Sequence, residues 1–271
     1  MKLKEYPISF FNTWLLKSKS SKILRERKSD FLPVIISFTT IKSRLNKVEI
    51  TVRSLLNQSK QPEFIFLWLN ENDKDSIPSS LKKLEGEVFK IFFTNRTSSH
   101  KKLIHTLERY PEKIVITCDD DFIYDFHWLE KLYNEHTHFP NSIIGNQTRQ
   151  IKYDKEGNLL DYKFWVNNDR NKPENLLAIG AAGILYPPKS LAEIAINYDL
   201  ALELAPKADD LWFKAMALLN NTEVRQSSNV PKNLIPIFGT QKVSLKKENV
   251  DKNMNVIQWQ KLSQYFNLKL R

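Results

Sequence analysis

The strongest constraint on the fold is a series of short apolar runs that alternate with amphipathic segments between residues 33 and 118. Runs such as residues 34–38 and 114–118 are rich in β-branched residues, which is typical of buried strands. Between them, apolar residues such as Leu45, Val48 and Val52 recur at helical spacing. Strands that are apolar along their whole length indicate a parallel sheet covered by helices on both faces. The pattern therefore predicts an α/β fold whose ligands bind beyond the carboxyl ends of the strands.

The scarcity of glycine excludes two common classes of α/β nucleotide-binding protein. The chain has only 6 glycines in 271 residues, and the turn after the first predicted strand, residues 39–44, contains none. Dinucleotide-binding folds and P-loop proteins both need glycines at that turn, where the backbone approaches a phosphate. The sequence therefore excludes both fingerprints.

Cysteine usage and hydropathy bear on the compartment. Cys118 is the single cysteine, which excludes an intramolecular disulfide framework and a cysteine-rich zinc site. The sequence lacks an apolar run of about 18 to 20 residues, the length of a membrane-spanning helix. It also lacks an apolar N-terminal segment followed by a small-residue cleavage site. We therefore expect a cytoplasmic protein that is neither exported nor membrane-spanning.

The first 30 residues form a basic and aromatic segment ahead of the first predicted strand. Phe10, Phe11 and Trp14 lie among several lysines and arginines. One interpretation is an interfacial helix that contacts the anionic inner face of the cell membrane. The alternative is a solvated helix whose apolar stripe packs on the domain.

Three consecutive aspartates, Asp119, Asp120 and Asp121, directly follow the fourth apolar run. Carboxylates held close together repel one another unless a cation lies between them. Mn²⁺ or Mg²⁺ typically takes one or two protein carboxylates and completes its shell with substrate phosphate oxygens. A helix cap would explain one of these aspartates but not all three, so the run predicts a metal site.

Two further motifs are ambiguous from the residues alone. Asp209 and Asp210 precede an apolar helical segment, where acidic residues commonly cap a helix. Small residues at 180–183, Gly-Ala-Ala-Gly, allow either a close approach of backbone to a ligand or a close crossing of strands.

Taken together, these motifs resemble a bacterial, family-2-like group of GT-A glycosyltransferases from surface-polysaccharide gene clusters. The resemblance covers about residues 33–225 and rests on residues 33–44 (PVIISFTTIKSR), 54–58 (SLLNQ), 66–69 (FLWL), 101–104 (KKLI), 116–124 (ITCDDDFIY) and 208–216 (ADDLWFKAM).

The resemblance implies a GT-A fold, with a single Rossmann-like sheet, in residues 31–240. Residues 31–125 would form the nucleotide-binding half and residues 126–240 the acceptor-binding half. Residues 1–30 would be an appendage, and residues 241–271 a tail with a helix.

The resemblance also implies roles for individual residues. Asp121 and Asp119 would hold the metal ion, and Asp210 would be the catalytic base, with Asp209 second. A nucleotide sugar, expected to be a UDP-sugar, would contact Thr39, Thr40, Arg44, Asn70, Lys101, Lys102, Asp119 and Asp120. The sugar pocket would be lined by Gly180, Ala181, Ala182, Gly183, Tyr162 and Trp165.

In similar enzymes a second-strand aspartate contacts uracil, and some use a C-terminal histidine as a metal ligand. This sequence has Leu69-Asn70-Glu71 at the first position and no histidine beyond His138. The expected reaction transfers a sugar with inversion to a glycan or a lipid-linked acceptor.

Two other function classes are alternatives to the glycosyltransferase hypothesis. A metal-dependent nucleotidyl- or phosphotransferase would use the same carboxylates and ion. The formal net charge of +10 would suit a nucleic-acid-binding module. However, the basic residues are spread along the chain and no known recognition motif appears, so we expect no nucleic-acid partner.

Overall fold

The computed structural model describes residues 5–167, 173–231, 234–240, 253–268 and 270. The helices are, in chain order, α1 (Glu5–Ser18), α2 (Ser21–Arg25), α3 (Leu45–Leu56), α4 (Ser79–Lys82), α5 (Lys101–Arg109), α6 (Trp128–His138), α7 (Tyr198–Leu204), α8 (Asp209–Leu219) and α9 (Met254–Tyr265). The strands are β1 (Phe31–Thr39), β2 (Gln61–Asn70), β3 (Phe89–Thr94), β4 (Ile114–Thr117), β5 (Phe122–Ile123), β6 (Ile143–Gly145), β7 (Thr148–Gln150), β8 (Val166–Asn167), β9 (Leu176–Ala178), β10 (Ile184–Tyr186), β11 (Val224–Gln226) and β12 (Ile235–Pro236).

Seven of the described strands form a central sheet in the order β11-β6-β10-β4-β1-β2-β3. β1 pairs in parallel with β2 and with β4, and β2 pairs in parallel with β3. β10 runs antiparallel between β4 and β6, and β11 is parallel to β6. The prediction of a single, mostly parallel sheet is therefore confirmed.

Helices cover both faces of this sheet because successive side chains of a strand point to opposite faces. On β4, Val115 packs in a core with α5 and α8, whereas the adjacent Ile116 packs in a core with α3 and α6. On β10, Ile184 and Leu185 divide in the same way. Each face thus buries its own apolar layer, and the predicted α/β fold class is confirmed.

The remaining described strands form two small antiparallel sheets that bring distant segments to the carboxyl edge of β4. β8, β7 and β9 form one of them, and β5 pairs with β12 in the other. The β5–β12 pair is continued by a hydrogen bond from the N–H of Ile237 to the carbonyl of Asp121, 2.8 Å. The acidic run is therefore tied to a segment more than 100 residues later in the sequence.

The chain termini frame this domain. α1 and α2 precede β1. Leu16 of α1 packs against Ile50 of α3 and Ile123 of β5, and α2 packs on α3 with Leu24 buried. The helix expected in the tail is α9, whose Trp259 is fully buried, while residues 241–252 of that tail lie outside the described residues. Among the described helices, none combines the length and the apolar character needed to cross a bilayer.

Candidate active site

The last two aspartates of the acidic run face an arginine from the turn after β1. Arg44 contacts Asp120 at 2.6 Å and Asp121 at 3.3 Å through its two terminal nitrogens. The hydroxyl of Thr40 also donates to the carboxylate of Asp120. Thr51 fixes the backbone by donating to the carbonyl of Asp120, 2.8 Å. Asp120 and Asp121 are therefore held by the carboxyl end of β1 and by α3.

The first aspartate of the run faces a different cation. The Nζ of Lys102, on α5, lies 3.2 Å from Asp119 and 3.0 Å from Asp209, the first residue of α8. The hydroxyl of Ser99 donates to the other oxygen of Asp209, 2.8 Å, and the Ser37 hydroxyl donates to the carbonyl of Lys102. Buried Lys102 thus joins the acidic run of the first half to the acidic pair of the second.

Gly180 lies where these groups converge. Its N–H donates to Asp210 at 3.1 Å. A Cβ at this position would lie 3.1 Å from Asp210 Oδ1, 3.2 Å from Lys102 Nζ and 3.7 Å from Asp119 Oδ1. Residues 102, 119, 180 and 210, which are far apart in the sequence, therefore share one small volume beyond the carboxyl end of β4.

Burial and charge separate the pKa values of the two adjacent aspartates. Burial and the neighbouring Asp209 carboxylate raise the pKa of Asp210 to about 7. Burial would also raise the pKa of Asp209, but the Lys102 ammonium, His100 and the hydrogen bonds from Lys102 and Ser99 together outweigh it and hold that pKa below its ordinary value. Burial likewise opposes the charge of Lys102, yet Asp209 and Asp119 raise its pKa well above the usual range. Asp209 is therefore ionised at neutral pH, whereas Asp210 can exchange a proton there.

Side chains that were not predicted as site residues hold the loop at residues 180–183 through hydrogen bonds to its backbone carbonyls. The Tyr124 hydroxyl accepts from the N–H of Asp119, 2.9 Å, and donates to the carbonyl of Ala181, 3.0 Å. Trp128 Nε1 and Asn146 Nδ2 both donate to the carbonyl of Ala182, at 2.8 and 3.1 Å. These bonds couple the small-residue loop to the acidic run.

Gly183 completes the same loop in a backbone conformation that excludes other residues. Its φ is +103°, and a Cβ there would lie 2.5 Å from the ring of Trp128. The tryptophan therefore packs directly beneath the loop because position 183 has no side chain.

Three residues predicted to contact the donor lie at the same edge of the sheet but bond elsewhere. Thr39 donates to the carbonyl of Trp68, 2.8 Å. Asn70 caps the turn after β2 by accepting from the N–H of Asn72, 3.0 Å. Lys101 donates to the carbonyl of Arg96, 3.3 Å, and burial lowers its pKa to about 8. Of the two adjacent lysines, Lys102 is thus the one whose ammonium contacts Asp119 and Asp209.

The two aromatic residues predicted for the sugar pocket are both largely buried. Trp165 is 2% exposed within the core, and its Nε1 donates to the carbonyl of Leu160, 2.9 Å. Its ring is enclosed by core side chains. Tyr162 is 7% exposed, and its ring packs against the guanidinium of Arg149, 4.5 Å from the centroid.

Among the described residues, no group of three or more His, Cys, Asp and Glu side chains is arranged to hold a metal ion. The acidic run nevertheless provides hard carboxylate oxygens of the type that Mn²⁺ and Mg²⁺ prefer. The side chain of Asp119 is 38% exposed, whereas that of Asp121 is 10% exposed. This donor set fits an ion that takes one or two protein carboxylates and completes its shell from a diphosphate.

A cavity of about 670 Å³ lies between α1, α6 and the segment that leads to β12. It sits at the carboxyl edge of the sheet, since Asn146 and Ser228 lie just beyond the ends of β6 and β11. Tyr124 and Trp128 line it, so its wall includes the side chains that support residues 180–183. The cavity is large enough for a saccharide unit.

The sequence comparisons give a family match. The family model described as Glycosyl transferase family 2 matches residues 35–194, which include the second half of β1, the acidic run and the small-residue loop. A search of curated proteins gives no match. Among solved structures, the chain is similar to 4-diphosphocytidyl-2C-methyl-D-erythritol synthase from Anaerococcus prevotii, with 17% identity and a TM-score of 0.48 over 84% of this chain and 96% of that chain.

Proposed function

This chain belongs to glycosyl transferase family 2, and on that premise we propose that it transfers a sugar from a nucleotide-diphosphate donor, a UDP-sugar, to a glycan or lipid-linked acceptor. The proposed setting is bacterial surface-polysaccharide synthesis at the cytoplasmic side of the cell. The observation that carries the proposal is the convergence of Asp119, Lys102 and Asp210 around Gly180. This convergence places the Lys102 ammonium and the Asp210 carboxyl, which can exchange a proton, next to the acidic run that we propose to bind the metal ion.

Asp121 and Asp119 are the residues that we propose to hold Mn²⁺ or Mg²⁺. When bound, the ion supplies positive charge that stabilises the departing nucleoside diphosphate. Arg44 and Lys102 add fixed positive charge on either side of the run, since they contact Asp121 and Asp119 respectively. We propose that Thr40 and Arg44, at the end of β1, orient the nucleoside end of the donor.

Asp210 is the proposed catalytic base. The acceptor hydroxyl oxygen forms a bond to the anomeric carbon while the bond from that carbon to the diphosphate oxygen breaks. The hydroxyl proton passes to the Asp210 carboxylate, and attack from the face opposite the leaving group gives inversion. A pKa of about 7 suits this role because a base works best when its pKa is near the operating pH. The Gly180 N–H, 3.1 Å away, keeps the carboxylate in position.

The cavity between α1 and α6 is the proposed route for the acceptor. It joins the loop at residues 180–183 through Tyr124 and Trp128. Its polar groups include Asn146 and Ser228, which are suited to sugar hydroxyls. An acceptor bound there would approach the donor sugar from the side of the small-residue loop.

A thermal-shift screen of UDP-, GDP-, CDP- and dTDP-sugars, each with and without Mn²⁺, tests the proposal. A donor that binds only the native state raises its stability by mass action. We expect stabilisation by one nucleotide sugar that depends on Mn²⁺ and is lost in Asp121→Ala. No response to any donor would contradict the donor assignment.

Product analysis separates the proposal from a nucleotidyltransferase. Transfer of a sugar releases a nucleoside diphosphate, whereas nucleotidyl transfer releases pyrophosphate. We expect free nucleoside diphosphate, and release of pyrophosphate would contradict the assignment as a glycosyltransferase.

A further inference from the structure

Helix α1 presents its aromatic residues outward. Phe10 is 76% exposed and Trp14 is 59% exposed, and Tyr6 and Phe11 are also exposed. Phe10 and Trp14 are four residues apart and therefore lie on one face of the helix. A helix that packs on a domain normally turns its polar side to water. Here the outward side is apolar, and an exposed apolar patch of this kind marks an interaction site.

The helix is firmly attached by its opposite side. Leu16 packs with Ile50 and Ile237, and the Ser9 hydroxyl donates to the carbonyl of Pro236, 2.7 Å. Arg53 donates to the carbonyl of Leu16, 3.2 Å, which satisfies an acceptor near the C-terminus of the helix. The exposed rings are therefore held in a fixed orientation on the surface of the domain.

Phe238 extends the apolar surface beyond the helix. It is 60% exposed, and its ring lies 5.7 Å from that of Tyr6. We define the aromatic surface as Tyr6, Phe10, Phe11, Trp14 and Phe238. Beneath it, an apolar groove of about 580 Å³ runs between α1 and α3. Its volume lies in the range of pockets that hold small apolar ligands.

Lysines border the aromatic surface. Lys17 and Lys47 line the groove, and the ammonium of Lys47 lies 5.6 Å from the centroid of the Phe238 ring. Lys22, on α2, is exposed just beyond α1. Lysine is depleted in the interfaces between proteins. At a bilayer surface, by contrast, lysines beside aromatic rings bind anionic headgroups while the rings enter the acyl boundary.

We propose that the aromatic surface docks on an anionic lipid bilayer. α1 would lie along the bilayer plane, with its rings below the headgroups and Lys17, Lys22 and Lys47 at their level. Its 14 residues span about 21 Å. Since Glu5 and Ile8 of the same helix line the cavity beside α6, docking would bring that cavity to the bilayer surface.

Vesicle flotation of the full chain tests this proposal. The probes are vesicles of phosphatidylglycerol and phosphatidylcholine, and vesicles of phosphatidylcholine alone. We expect the chain to bind the anionic vesicles and Phe10→Ser/Trp14→Ser to reduce the partition coefficient by about tenfold or more, because interfacial binding scales with the buried apolar area. Lys17→Gln and Lys22→Gln should each reduce it by about fivefold, and added salt should do the same.

Tyr265→Ser is the matched control because Tyr265 is 57% exposed on α9, outside the aromatic surface. It should bind vesicles as the unchanged chain does, and thermal melts should be similar for all variants. Equal vesicle binding by the unchanged chain and the double variant would overturn the proposal. Failure of the unchanged chain to bind both kinds of vesicle would overturn it as well. A dimer that dissociates in Phe10→Ser/Trp14→Ser, without vesicle binding, would instead assign the surface to self-association. Vesicle binding needs no donor, so its outcome is separate from that of the proposed transferase activity.

Discussion

The acidic run at residues 119–121 and the acidic pair at residues 209–210 are both paired with cations, but the cations differ in position and chemistry. Arg44 approaches the run from the rim of the site, and its fork contacts two carboxylates at once. Lys102 is enclosed between the run and the pair and contacts one carboxylate of each. Among the described contacts, two cations thus reach the run, whereas the pair is reached by Lys102, which it shares with the run. Within the pair, burial and the charge of Asp209 raise the pKa of Asp210, whereas the pKa of Asp209 lies below its ordinary value.

Asp210→Asn should have the largest effect because it removes the group that we propose to accept the proton. We expect kcat to fall by about 10²- to 10⁴-fold, the usual contribution of a general base, with little change in donor affinity. Steady-state transfer rates and donor titration by calorimetry would check both parts. Asp199→Asn, at an exposed aspartate on α7 that pairs with Arg96, is the control and should retain activity. Unaltered turnover in Asp210→Asn would remove the distinction drawn between the two aspartates.

Lys102→Met should give the largest loss of stability. It leaves the buried Asp209 carboxylate without its compensating charge, and removal of one partner from a buried ion pair costs about 3–5 kcal/mol. Denaturant unfolding would measure the loss. Lys101→Met is a matched control, since Lys101 is also buried but its Nζ contacts a backbone carbonyl. We expect a much smaller change for the control, and equal losses would contradict the bridging role of Lys102.

Arg44→Met should cost less than Lys102→Met because the Arg44 side chain is 15% exposed and water can partly replace it. We expect a loss of about 1–3 kcal/mol because Asp120 would keep the hydrogen bond from Thr40 but lose its charged partner. Arg44→Lys keeps the charge but loses the fork that contacts two carboxylates, so it should recover only part of the stability. Denaturant midpoints of the three proteins would rank them. A loss for Arg44→Met that exceeds that for Lys102→Met would reverse the comparison.

The fold of the first half was predictable from the sequence because its strands are apolar on both faces. Runs at residues 34–38 and 114–118 can be satisfied only in a sheet buried on both sides, and β1 and β4 lie next to each other in it. The second half was harder to predict. Its strands β6, β7, β9 and β10 have three residues each, which is too short for a periodic pattern to emerge.

The site was predictable in its carboxylates and less so in their supports. Asp119 and Asp210 stand out because adjacent acidic residues beside apolar segments are costly without a role. Ser99 donates to Asp209, which is 110 residues away, and Tyr124 donates to the carbonyl of Ala181, which is 57 residues away. No local pattern identifies such partners. The burial of Trp165 was not predictable either, because an aromatic residue in a polar segment can face a ligand or the core, and tertiary packing decides between them.

Asp209→Asn should have the smallest effect, and it tests the electrostatic coupling within the pair. A base is active when deprotonated, so kcat/KM of the unchanged chain should rise with pH and level off above about pH 7. Burial is the first cause of the raised pKa of Asp210, and the negative charge of Asp209 is the second. Removing that charge stabilises the ionised form of Asp210, so the midpoint of the pH–rate profile should move to lower pH.

Ser99→Ala gives the control for this shift because it deletes the hydrogen bond to Asp209 and leaves the charge of Asp209 in place. If charge sets the pKa of Asp210, the midpoint should move in Asp209→Asn and stay close to its original value in Ser99→Ala. If the two variants shift the midpoint equally, the position of Asp209 rather than its charge governs Asp210. A midpoint that moves to higher pH in Asp209→Asn would mean that the bridge from Lys102, rather than repulsion within the pair, controls the proton on Asp210.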